Sequence, residues 1–75
     1  MIVSASHKYL EQILAIERAS FPKPWSEYDF QSDFNNKISV NWVYLNNTKV
    51  IAYLFGWHVM DEYHLNNIAV HFDFQ

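Results

Sequence analysis

The sequence has 75 residues, enough for one small domain that buries only about 60% of its unfolded surface. It has no cysteine, which excludes disulfide staples and thiolate metal sites. Five scattered basic residues against eight acidic ones give a net charge of −3 and exclude the concentrated basic face that nucleic acid requires, while a chain half hydrophobic and 19% aromatic is not that of a disordered protein.

Met1 to Ala5 is short and β-prone and is expected to be a first strand. From Ser6 the apolar period changes. Tyr9, Leu10, Ile13, Leu14 and Ile16 fall at helical spacing, with Lys8, Glu11, Gln12 and Arg18 largely off that stripe. Ser6 is the expected N-cap. Pro22 ends the helix by Ser20 or Phe21, because the residue before a proline is pushed out of the α region.

The segment FPKPWSEYDF carries the clearest local signal. Ser26 followed by Asp29 has capping-box spacing, and Trp25 and Phe30 have the spacing of a hydrophobic staple. A short helix over Glu27 to Phe34 follows, with Tyr28, Phe30 and Phe34 expected on its buried face. Asn35 to Lys37 is a loop.

Three strands come next. Ile38 to Leu45 alternates, with Ile38, Val40, Trp42 and Tyr44 on one face. Asn46-Asn47-Thr48 is a hairpin turn. Val50 to Met60 is apolar on both faces, so it is expected to be central and covered on both sides. Gly56 within it predicts a bulge or a close backbone approach. Asp61-Glu62 turns the chain into a last strand, Tyr63 to Val70. There the apolar phase slips across Asn66-Asn67, which a β-bulge would produce, as would a regular strand carrying two solvated asparagines. The order strand, helix, helix and antiparallel meander is α+β, β-α-α-β-β-β, in one domain over residues 1–75. No apolar run is long enough for a membrane span and Met1 to Val3 opens no signal peptide, so a cytoplasmic protein without membrane or nucleic-acid partners is expected.

Three stretches together carry a family likeness: IERASFPKPWSEYDF, VIAYLFGWHVMDE and LNNIAVHFDFQ. They resemble the N-terminal half of the GCN5-related N-acetyltransferases, and within that family the ribosomal-protein-alanine branch. The likeness covers essentially the whole chain. It implies transfer of acetyl from acetyl-CoA to a protein N-terminal amine, by direct attack of the neutral amine on the thioester. It implies that backbone groups of Ile68, Ala69 and Val70 bond the pantetheine arm and that an N–H near the bulge polarises the carbonyl, as in an oxyanion hole. Phe21, Pro22 and Trp25 would line the acceptor groove. Gln75 would be the first residue of the loop Q-x-x-G-x-G/A, whose amides hold the pyrophosphate at a helix N-terminus. That loop, and the branch's general acid and base, lie beyond Gln75 in the pattern, so the 75 residues alone are expected to be inactive. Phe72 stands where the family has Pro, which puts the exit from the last strand in question.

His64 is the one candidate catalytic side chain, since some branches of the family place a base at that strand position. A solvated histidine near a hairpin end is the other reading. His58, His64 and His71 lack the clustered ligands of a metal site, so no metal is expected. Trp25, Trp42 and Trp57 are expected in packing and in the staple rather than as a stacking platform. Two further functions stay open: a non-catalytic half-domain that forms homo-oligomers through an exposed last strand, and an acetyltransferase for small-molecule amines.

Overall fold

The computed structural model describes residues 1–75. Strand β1 (Ile2–Ser4) is followed by a 3-10 turn over His7–Tyr9, α1 (Leu10–Ser20), α2 (Glu27–Phe34), β2 (Ser39–Asn46), β3 (Lys49–Val59), β4 (Glu62–Val70) and a last 3-10 turn over Phe72–Phe74. The strands form one antiparallel sheet in the order β1-β2-β3-β4. The α+β order read from the sequence is the observed one.

Ser6 caps the short 3-10 turn rather than α1, and its side chain makes no capping bond. The first helix thus starts with a tightened turn, a common form of helix entry. Leu10, Ile13, Leu14, Ile16 and Glu17 are its buried side chains. Gln12 fastens α1 to the β2–β3 hairpin: Nε2 donates to the Thr48 carbonyl at 3.1 Å, and Oε1 accepts from the Val50 N–H at 2.8 Å.

In α2 both halves of the capping box are made. Asp29 N–H donates to Ser26 Oγ, and Ser26 N–H donates to the Asp29 carboxylate. The staple closes with the Trp25 and Phe30 rings 5.1 Å apart. Phe30 is fully buried, its ring 5.0 Å from Phe55 and 6.0 Å from Tyr53. Edge-to-face contacts of this kind add about 1 kcal/mol each beyond area burial. Tyr28, expected to be buried, is exposed, because the buried stripe of this short helix runs through Phe30, Asp33 and Phe34.

Both helices cover one face of the sheet, where Val43, Leu45, Val50, Tyr53, Phe55 and Ala69 complete the core. The other face is open. Ile2, Trp42, Tyr44, Ala52, Leu54, Ile68 and Val70 lie together on it around a shallow apolar hollow. Strand β3 is therefore central but covered on one face only, contrary to the reading of its two-sided apolar pattern. The alternation in β2 is as expected, yet Trp42 and Tyr44 lie on the open face. Trp57, too, is partly exposed rather than in the core.

The β3–β4 turn is one residue earlier than expected. Val59 pairs with Glu62, and Met60 and Asp61 both take positive φ, 48° and 67°. That is a type I′ turn, whose twist matches the strands it joins.

The phase slip in β4 is a bulge. Phe55 pairs with Asn67 and Gly56 with Leu65, leaving Asn66 without a partner. Asn67 turns inward and is buried while Asn66 stays exposed. Gly56 sits beside this irregularity because the Tyr63 ring crosses it, its hydroxyl donating to the Val40 carbonyl at 2.8 Å. A Cβ at Gly56 would collide with that ring and lie 2.7 Å from the His64 carbonyl oxygen.

Candidate functional site

Glu17 continues the stripe Leu10, Ile13, Leu14 by one more helical step, so the packing of α1 carries a carboxylate into the core, 1% exposed. Three donors from three other segments converge on it. Trp25 N–H donates to Oε2 at 2.8 Å, Asn67 Nδ2 donates to Oε1 at 2.8 Å, and the Tyr53 hydroxyl donates to the same Oε1. Burial, and then the bond to Glu17, hold the Tyr53 phenol far above its ordinary range, so it stays a donor.

The network has a geometric consequence. Trp25 belongs to the α1–α2 connection, which leaves the helix at Phe21 in extended backbone ahead of Pro22. The bond to Trp25 N–H pins that connection, and the bond to Asn67 pins the bulged part of β4 to the same carboxylate. The bulge is what makes this possible: one extra residue re-aims Asn67 inward.

Above the network opens a cavity of about 410 Å³ lined by Glu17, Phe21, Pro22, Lys23, Trp25 and Asn67. Glu17 and Asn67 are buried and form its floor, Phe21 and Trp25 are half-buried walls, and Pro22 and Lys23 are exposed at the rim. Phe21, Pro22 and Trp25, the expected acceptor-side residues, thus share one pocket. Sequence reasoning passed over Glu17, Tyr53 and Asn67. A signal for Glu17 was present: a carboxylate one step along an apolar stripe needs partners in the core.

The expected cofactor-side residues lie on β4, a free edge of the sheet. Ile68, Ala69 and Val70 pair with Leu54, Tyr53 and Ala52. The His71 N–H donates inward to the Ile51 carbonyl at 2.8 Å, so the alternation of an antiparallel ladder turns the backbone groups of Val70 and Ile68 outward. Gln75 Nε2 donates to the Val70 carbonyl at 3.0 Å. Beyond β4 the chain enters the 3-10 turn with Phe72 exposed and stacked on His71, whose Nδ1 accepts from Asp73 N–H at 3.0 Å. The outward N–H groups of Ile68 and Val70 and the Ile68 carbonyl can hold the amides of an extended, pantetheine-like arm, while the Val70 carbonyl is taken by Gln75.

His64 lies away from this pocket. It pairs across the sheet with Trp57, is exposed, and sits 3.4 Å from Glu62. His58, His64 and His71 form no three-ligand cluster with each other or with carboxylates. No helix is long and apolar enough to cross a membrane.

A second buried carboxylate lies at the end of α2. Asp33 Oδ1 accepts from Trp57 Nε1 at 3.3 Å, while its Oδ2 is buried without a partner. Burial raises its pKa, the Trp57 bond opposes that, and the nearby Asp29 charge adds to it.

Over its whole length the chain is similar to the ribosomal-protein-S18-alanine N-acetyltransferase from Escherichia coli, with 33% identity and a TM-score of 0.89. The match covers 100% of this chain and 48% of that one. It shares its fold with an aminoglycoside antibiotic 6'-N-acetyltransferase from Acinetobacter haemolyticus at 17% identity and a TM-score of 0.74, over 100% of this chain and 59% of that one. A second such enzyme, from Acinetobacter baumannii, matches at 16% identity and a TM-score of 0.74, over 99% and 58% of the two chains. The chain thus spans about half the length of the solved structures it matches. No family model and no curated protein matches it.

Proposed function

The chain has the structure of the N-terminal half of a GCN5-related N-acetyltransferase, and from that premise we propose that it forms the acceptor side and the pantetheine-facing strand of an enzyme acetylating a protein N-terminal amine. An N-terminal alanine of a ribosomal protein, met in the cytoplasm, is the preferred acceptor. The observation that carries this reading is the 33% identity to the Escherichia coli enzyme over all 75 residues, at a TM-score of 0.89.

The residues present fit acetyl-CoA in part. The outward N–H and carbonyl of Ile68 and the outward N–H of Val70 suit the amides of the pantetheine arm, with Ala69 between them holding the strand on Tyr53; Gln75 would have to release the Val70 carbonyl before that group could join them. Gln75 would open the phosphate loop. Acetyl-CoA would supply the acetyl group as an activated thioester. This chain's part is to seat the acceptor over Phe21, Pro22 and Trp25 and to align it, which is where much of an enzyme's advantage arises. Anchoring at the pyrophosphate supplies binding energy that helps position the reacting group, so the 75 residues alone are inactive in this reading.

Two measurements test it. Calorimetric titration of the 75-residue chain with acetyl-CoA, with dephospho-CoA as control, should show no saturable binding up to millimolar ligand. A chimera joining this chain to the second half of the Escherichia coli enzyme should acetylate an alanine-initiated peptide in preference to spermidine or an aminoglycoside. Preference for the aminoglycoside would instead favour a small-molecule acceptor, the reading to which the two Acinetobacter folds lend support.

A second reading is favoured by the free edge of β4 and the open apolar face beside it: a non-catalytic half-domain that forms homo-oligomers through β4. Light scattering on the purified chain should then give a dimer or larger. A well-folded monomer at all concentrations rejects that reading.

A further inference from the structure

We propose that Glu17 is a recognition site for a primary ammonium group, held between its carboxylate and the Trp25 side of the pocket. The inference rests on the reading of this pocket as the acceptor side, and it deepens that reading by naming the group the pocket selects.

Both oxygens of Glu17 act as acceptors, from Trp25 N–H, the Tyr53 hydroxyl and Asn67 Nδ2, which is the pattern of a carboxylate. All three partners are neutral. None of the ion pairs in the molecule includes Glu17. Buried charges in proteins are paired or hold a cation, because desolvation otherwise outweighs what neutral donors return. Here a carboxylate at the bottom of a cavity has hydrogen bonds but no countercharge.

The acceptor count points the same way. A carboxylate offers about four acceptor positions. Oε1 holds two donors and Oε2 one, so Oε2 has the spare acceptor position, and Glu17 is among the residues that line the cavity. Beside it stands Trp25, whose ring face attracts cations. An ammonium is donor-only and compact, and it matches a floor of acceptors under an aromatic wall. Lys23 is the pocket's own cation, but it stands exposed at the rim and makes no ion pair with Glu17. The role is recognition. Loss of the proton before attack on a thioester is a separate step.

The test uses the 75-residue chain without acetyl-CoA. A short alanine-initiated peptide with a free N-terminus and its N-acetylated twin are titrated separately, following the backbone amides of Trp25 and Asn67 by 1H–15N NMR. The free-amine peptide should bind about tenfold more tightly, the worth of one charge-assisted hydrogen bond, and should shift both amides. Glu17→Gln should bring its affinity down to that of the acetylated peptide. Equal affinities, absence of binding by both peptides, or an undiminished preference in a folded Glu17→Gln variant would each overturn the proposal. The two-peptide comparison on the unsubstituted chain needs no variant to fold. A chimera that fails to transfer acetyl while the preference for the free amine persists removes the transferase reading and leaves the site. Transfer without that preference removes the site alone.

Discussion

Asp33 and Glu17 are both carboxylates drawn into the interior by a helix, and their partners set them apart. Glu17 has three donors, whereas Asp33 has one and leaves Oδ2 buried and unmatched. A buried group without a partner costs about 1–3 kcal/mol. Asp33→Asn keeps an acceptor for Trp57 and removes the charge, although its amide places unmatched N–H groups where Oδ2 was, so the gain at pH 7 should stay below about 1 kcal/mol in urea unfolding. The sign with pH follows from the raised pKa. The folded chain binds the Asp33 proton more readily than the unfolded chain, whose value is near 3.8. The native residue is therefore no liability below 3.8, and its penalty grows as pH rises through the folded value. The advantage of the Asn variant should be full at pH 7 and shrink towards pH 3.5, and an advantage that grows on acidification would contradict this account.

At the scale of elements, the β3–β4 turn carries a local conflict. A type I′ turn needs positive φ at both central residues, and Met60 at 48° has neither the freedom of glycine nor the short polar side chain of asparagine. Met60→Asn should raise thermal stability by about 0.5–1 kcal/mol with no change in the sheet register. Loss of stability would mean that the exposed Met60 side chain contributes a contact of its own. This turn also shows where sequence reading stops. The capping box and staple of α2 were legible because they are made within a few residues. The phase slip in β4 was legible because a one-residue slip flips every following side chain, but the sequence left a bulge and a regular strand with two solvated asparagines both open, and the register decides for the bulge. The turn lay one residue off, since Met60 gives no turn signal. The covered face of the sheet was illegible for a deeper reason: alternation separates two faces but does not say which one the helices choose. Strong apolar character on both faces of β3 was read as two covers, and the fold supplies one. Glu17 was illegible in the apolar period of α1 because a carboxylate breaks that pattern even where it continues the buried stripe.

For the whole molecule, the unequal faces dominate. One face of the sheet is closed by α1 and α2, and the other leaves Trp42, Tyr44, Ile68 and Val70 partly exposed. Contiguous apolar patches of this kind mark contact surfaces or lead to aggregation. If the oligomer forms through β4, Ile68→Lys, on the edge strand and the open face, should shift light scattering towards the monomer while leaving the circular dichroism spectrum unchanged. An unaltered oligomer would place the contact elsewhere. The pocket proposed for the acceptor is built from the covered side, by Glu17 of α1 and Trp25 of the connection to α2, so this substitution should leave peptide binding intact.

The order β1-β2-β3-β4 also bears on how the sheet assembles in time. Strands β2, β3 and β4 follow one another through tight turns, so their pairing closes only short loops and forms early. Strand β1 pairs Ile2 with Tyr44, across the full span of both helices, and has only three residues to hold it. It is expected to join last and to leave first. In hydrogen exchange its amides should therefore open locally, while those of β3, bonded on both sides, should stay protected until the chain unfolds as a whole.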